Sequence, residues 1–205
     1  MSIPLMVVLV LFWIAAVIFC RMYRIWILYY LVGTLGLAYV VVYIIYKVLV
    51  FEPILAHSVA IAVHDSLNFI NIPTEIFQNA PGVLLVLVVT QNVGWTVLQI
   101  GVESSGLLEI CVLVSLVAFY PLWTWRKKVM MGLVGIAFTW LANVARMLLI
   151  ALMLHFFGKE ALVIAHTFIG KAFFFLATIG IYWFLVTANS LPDIKRKILA
   201  RPGSE

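Results

Sequence analysis

LQIGVESSGL, Leu98 to Leu107, is the one place in this chain where small, polar and acidic residues cluster between long apolar segments. Ser104, Ser105 and Gly106 stand immediately before a new apolar run, Leu107 to Trp125, so they occupy the lip of an expected membrane helix. A serine at such a lip either caps the helix, its ordinary role, or attacks a substrate. ESSG alone does not separate the two. What the rest of the chain brings to the same place does.

The chain has 205 residues, is 66% hydrophobic and 10% charged, and has a mean hydropathy of +1.19. That composition cannot supply the polar shell of a soluble domain, so an integral membrane protein is expected. The net charge of +5 sits in short basic clusters between apolar runs, which signals topology rather than nucleic-acid binding. Cys20 and Cys111 lie inside apolar segments that topology sends toward opposite sides, so neither a disulfide nor a zinc site is expected. No metal or cofactor is called for. The N-terminal stretch lacks a basic region ahead of its apolar run and reads as a membrane helix, not a cleaved signal.

A bilayer core needs about 20 apolar residues per helix. Ile3 to Cys20 meets that before Arg21 and Arg24, and a second helix runs from Ile25 to about Val50, carrying Gly33 and Gly36 for close helix approach. Residues 51–101 change character and form an expected extracytoplasmic or interfacial insertion: Phe51 to Gly82 holds Glu52, Asp65, Glu75, His57 and His64 but no Lys or Arg. His57 to Ile70, with Val59, Ile61, Ala62, Phe69 and Ile70 among polar neighbours, predicts an amphipathic helix lying at the interface. Val83 to Gly101 is rich in β-branched residues and broken by Thr90, Gln91, Asn92 and Gly94. It predicts two extended arms about a turn, an outer hairpin or re-entrant element covered by protein. If 54–70 and 83–101 instead both span, every other segment keeps its orientation.

Residues 102–188 then form a motif-bearing three-helix core: Leu107 to Trp125 inward, Val129 to about Phe157 outward, Val163 to Ala188 inward. Arg126, Lys127 and Lys128 and the basic tail 189–205 fall on one side, the cytoplasm. The expected fold class is therefore all-α and polytopic, a single integral domain over 1–205 with about five transmembrane helices, an outer interfacial helix and a short hairpin. It is expected in the plasma membrane, with its C-terminus cytoplasmic.

This topology delivers Ser104, Arg146 and His166 to one membrane face from three helices. An arginine within a spanning helix is expensive, so it faces the bundle interior and either pairs with Glu103 or Glu109 or serves a function. Asn143 shares its helix face and can orient the guanidinium. His166 is either an interfacial histidine or the general base that a serine nucleophile requires. His155 reads as packing, and Lys171 as a counter-charge to Glu109.

These stretches resemble the exosortase and archaeosortase family of membrane-embedded sorting transpeptidases. Its pattern is an extended segment running into Cys-Ser-Gly-Leu at a helix start, then Asn-x-x-Arg, then a His often followed four residues later by Gly. The matching stretches are LQIGVESSGL, the NVAR of Asn143 to Arg146, and the HTFIG of His166 to Gly170, in the family's order. The short size is similar to the exosortase G type, members of which accompany glycosyltransferases.

The resemblance implies Ser104 as nucleophile in place of the family's cysteine, or else an inactive relative, with Arg146 and His166 catalytic. Glu103, Ser105, Gly106, Asn143 and Gly170 would support them. Two further departures are Leu108, where the family often has Arg, and the acid at Glu103, which the family tends to carry one position earlier. Cys111, about 10 Å deeper along the helix, is not expected to substitute for Ser104. The implied partners are an exported protein with a C-terminal sorting segment, the lipid bilayer and a glycosyltransferase. The alternative is a non-catalytic partner in surface-glycan assembly. A transporter would place its polar residues near the midplane instead.

Overall fold

The computed structural model describes residues 3–45, 52–80, 82–89, 94–101 and 104–189. Helices α1 (Ile3–Met22) and α2 (Trp26–Ile44) form an antiparallel pair. Arg24 takes a left-handed conformation in the tight turn between them. Both are long and apolar enough to cross a membrane, and so are Trp125–Phe157 and the composite Lys159–Ala188. Residues 46–50, where the second helix was expected to end, lie outside the described residues, as does the basic tail beyond 189.

The expected third span is shorter than its apolar run. Helix α4 covers Leu107–Phe119 and stops there. Pro121 is the cause: the residue before a proline is pushed out of the helical region, and Tyr120 has ψ 117°. At ~1.5 Å per residue the 13 residues of α4 reach about 20 Å, against ~30 Å for a bilayer core. Helix α5 (Trp125–Phe157) starts earlier than expected and takes Arg126, Lys127 and Lys128 into its first turn. Lys127 lies 5.1 Å from the Trp123 ring centroid, and Lys128 donates to the Ala118 carbonyl near the end of α4.

The last apolar segment is a continuous but irregular helix. A 3-10 turn at Lys159–Ala161 leads into π-helical turns at Ile164–Ile169, then regular α6 (Gly170–Tyr182), then π-helical turns again at Trp183–Ala188. The two wide stretches were not anticipated from the apolar pattern.

Between α2 and α4 the chain builds more than a hairpin. Helix α3 (Glu52–Phe69) is followed by three strands, β1 (Thr74–Ala80), β2 (Gly82–Val89) and β3 (Gly94–Ile100). They form one antiparallel sheet in the order β1-β2-β3, with Thr74 opposite Leu87 and Val83 opposite Ile100. The expected arms are β2 and β3; β1 is an addition to the all-α expectation, and the turn residues Thr90, Gln91 and Asn92 lie outside the described residues.

Helix α3 also departs from a surface-lying helix. Its stripe Ala56, Val59, Ala60, Val63 and Leu67 is fully buried in protein, whereas Ile61, Phe69 and Ile70 of the expected apolar face are exposed. The 3.6-residue period places 56, 59, 60, 63 and 67 on one side. In β3 the period of two turns Thr96, Leu98 and Ile100 inward while Trp95 and Gln99 face out. These inner faces meet Val144, Met147, Ile150, Ala151 and Leu154 of α5 in the main core. Polar ties reinforce it: Trp140 Nε1 donates to Ser58 Oγ at 3.1 Å, and His64 Nδ1 lies 2.6 Å from Thr74 Oγ1.

Helix α2 packs against α1 and α4 through its two glycines. A Cβ at Gly33 would overlap the Phe119 ring, and one at Gly36 the Trp13 indole, whose Nε1 donates to the Val32 carbonyl at 2.9 Å. Gly36→Leu is expected to expel Trp13 and cost about 1–3 kcal/mol by overpacking, read as a lower melting temperature of the purified protein in detergent. Gly180→Ala, where an added Cβ meets nothing within 4 Å, should melt no lower than wild type.

Candidate active site

Ser104 and Ser105, at the entry to α4, are tied back to the end of β3. The backbone N–H groups of Ser104 and Ser105 both donate to the Gly101 carbonyl, at 3.0 and 2.8 Å. Gly106 then sits at φ +78°, a left-handed conformation that costs an L-residue roughly 1–2 kcal/mol. Its missing side chain also makes room: a Cβ there would lie 3.2–3.3 Å from Asn143 side-chain atoms. The turn is sealed against α5, with Ser105 and Asn143 both at 0% exposure, and Asn143 Nδ2 donates to the Ser104 carbonyl at 2.8 Å.

The two serines differ in what they face. Ser105 Oγ accepts from the Leu107 backbone N–H at 3.3 Å, so the residue that satisfies a free amide of the first turn of α4 is Ser105. Ser104 is also buried, at 6% exposure, and it lines a cavity of about 470 Å³. Arg146 and His166 line the same cavity. The three side chains picked out by sequence therefore converge, one from the turn before α4, one from the middle of α5 and one from the π-helical turns ahead of α6. Among the described residues no hydrogen bond joins Ser104 to His166. Serine and base hydrogen bonds are often loose without substrate.

Arg146 is 7% exposed, and its guanidinium carbon stands 4.5 Å from the centroid of the Phe174 ring. A cation over an aromatic face out of water gains more than an exposed pair does, which places Arg146 where its charge faces the cavity. His166 is half-buried. The wide turns around it change the register at which the last helix presents its side chains, a distortion frequent at functional sites. Gly170 lets this segment press on α5, since a Cβ there would lie 2.8 Å from Ile150 Cδ1 and 2.9 Å from the Ala165 carbonyl oxygen.

Of the supporting residues, Ser105, Gly106, Asn143 and Gly170 have these places in the described fold; Glu103 lies outside the described residues. Cys111 is buried at 1% exposure and is not among the residues lining the cavity. His155, read as packing, is buried near the end of α5 with Phe156 edge-on at 5.1 Å.

The cavity has walls that motif reading did not assign. Lys171, Phe174, Phe175 and Thr178 line it from one side of α6, and Leu108 and Glu109 from α4. Spacings of three, four and seven along α6 mark one helix face, a signal that was available once His166 was placed. Glu109 and Lys171 share the cavity, yet Glu109 Oε2 is buried with no hydrogen-bond partner among the described residues.

Asn143→Ala should leave the buried Ser104 carbonyl without its donor, at a cost of about 1–3 kcal/mol. The expected readout is faster amide hydrogen exchange across Ser104 to Leu107, with the far ends of α5 unchanged. Gly106→Ala should produce the same local loosening through strain at φ +78°.

No family model, characterised protein or solved structure matches this chain.

Proposed function

We propose that this protein is a serine-type, exosortase-like acyl-transfer enzyme of the plasma membrane, working at the extracytoplasmic face on the C-terminal sorting region of exported proteins. The observation that carries the reading is the convergence of Ser104, Arg146 and His166, from three separate elements, on one cavity. The basic clusters at Arg21 and Arg24, at Arg126 to Lys128 and in the tail support five crossings with the cavity end outside. In this topology α4 is the short crossing, completed by the Tyr120 to Thr124 connection.

In the proposed reaction Ser104 Oγ attacks the scissile amide carbonyl while His166 accepts its proton. Arg146 offsets the negative charge that develops on the carbonyl oxygen. Collapse releases the distal fragment as an amine, which takes the proton from His166 and leaves an ester on Ser104. Water or an acceptor amine then attacks that ester and restores the serine. Asn143 and Gly106 hold the turn that presents Ser104, and Ser105 satisfies the helix start beside it.

Loss of one oxyanion-stabilising donor costs about 2.7–4 kcal/mol in transition-state stability, or 10²–10³ in rate. Arg146→Lys is therefore expected to lose activity on that scale, because an ammonium lacks the planar fork of guanidinium. The test is a deletion strain complemented at matched membrane levels with wild type, Ser104→Ala, Ser104→Cys or Arg146→Lys, reading intact masses and anchoring of surface proteins and polymers. A product that disappears with Ser104→Ala, and that Ser104→Cys restores in a thiol-reagent-sensitive form, is the expected outcome. A Ser104→Ala strain identical to wild type would replace catalysis with a partner role in surface-glycan assembly.

A further inference from the structure

The polar cavity does not end at Glu109. A second cavity of about 430 Å³ continues from it between α4 and α6, and the two share Leu108, Glu109, Phe175 and Thr178 as walls. Beyond that joint the lining is almost entirely apolar: Val112, Leu113 and Leu116 on α4, with Ile179 and Tyr182 on α6. Val112, Phe175 and Ile179 are 45%, 66% and 49% exposed, so the groove opens sideways, away from the bundle.

Its length and lining bear on the occupant. Leu108, Val112 and Leu116 lie one turn apart on a single face of α4, which makes the groove ~12 Å long at 1.5 Å per residue. Apolar walls along that length suit a hydrocarbon chain, whose carbons pack ~4 Å from their neighbours.

Depth points the same way. In the proposed topology Lys128 marks the cytoplasmic boundary. Arg146 is 18 residues further along α5, ~27 Å at 1.5 Å per residue, close to the far edge of a ~30 Å hydrocarbon core. That edge is where the ester carbonyls of membrane lipids reside. From there the groove runs along α4 toward the midplane, as an acyl chain does.

We infer that the joined cavities form a lipid acyl-ester site, in which one acyl chain of a membrane lipid lies between α4 and α6 and its ester carbonyl sits beside Ser104. The inference rests on Ser104 as nucleophile and adds a substrate class to it. Ser104 Oγ attacks the ester carbonyl and His166 takes the hydroxyl proton. The bond from the carbonyl carbon to the lipid alkoxide breaks, and His166 returns the proton to that alkoxide, releasing a lysolipid. The acyl-serine is then hydrolysed by water to a fatty acid and free Ser104. No oxidant, reductant or further reactant is needed.

The test uses the purified full chain in detergent micelles with p-nitrophenyl acetate, p-nitrophenyl palmitate and dipalmitoyl phosphatidylglycerol. Wild type is expected to hydrolyse the palmitoyl ester at least tenfold faster than the acetyl ester and to release palmitate from the phospholipid, with both activities absent in Ser104→Ala. Leu116→Trp, which fills the groove, should cut the palmitoyl-to-acetyl ratio at least tenfold. Val112→Trp, on the exposed rim, should do the same. Because the ratio is taken within each variant, a general loss of folded protein cancels. Ser104-dependent hydrolysis with no chain-length preference, no response to either tryptophan, or no palmitate release overturns the acyl-ester site and leaves the serine reading standing. Absence of Ser104-dependent hydrolysis of every ester overturns both.

Discussion

The hydrogen bond from Asn143 Nδ2 to the Ser104 carbonyl, 2.8 Å long and out of contact with solvent, is the constraint on which the rest of the site depends. It ties an irregular turn to the long helix α5, whose remaining faces carry α3, the sheet, α4 and α6. A carbonyl removed from water needs a donor, and leaving it without one costs about 1–3 kcal/mol. Asn143 supplies it and so seats Ser104 against α5. Gly106 permits that seat twice, by accepting φ +78° and by leaving space for the Asn143 side chain. The division of labour between the serines follows: Ser105 turns inward to the helix start, and Ser104 is left at the cavity wall.

Strands are costly next to lipid because every unpaired backbone group must find a partner. This chain meets that cost by joining three strands into one sheet and pressing its inner face onto α3 and α5. Leu98 and Ile100 of β3 sit in the same core as Met147 and Ile150 of α5. β3 is therefore immobilised immediately before the turn that carries Ser104, and the sheet acts as the scaffold of the site.

Departures from regular helix lie at opposite ends of the gap between α4 and the last helix. Pro121 ends α4 after 13 residues, and the last helix widens into π-helical turns around His166. Between α4 and α6 the polar cavity opens into an apolar groove. Phe174, buried at 4% exposure, is one contact of Arg146 on the cavity side of that gap. A site built this way has a hydroxyl, an imidazole and a guanidinium at one end, and an apolar groove at the other.

Much of this was legible in one dimension. Apolar runs of 19 or more residues marked the helices long enough to cross a membrane, because lipid thickness sets a minimum length. Ser104, Asn143, Arg146 and His166 stood out because polar groups among apolar ones are expensive and rarely incidental. Composition and spacing stopped short of three things: β1, the buried stripe of α3, and the groove between α4 and α6. Strand β1 exists because β2 offers it a paired edge, and Ala56 to Leu67 is buried because the sheet and α5 meet it there, α5 coming from far along the chain. The groove is the space left between two helices that never follow one another in the chain. Sequence by itself determined which segments are apolar and which residues carry chemistry, since both are properties of single side chains and their local period. Tertiary structure alone decided which of those residues share a cavity and what that cavity opens into, because a void is a property of the surfaces around it.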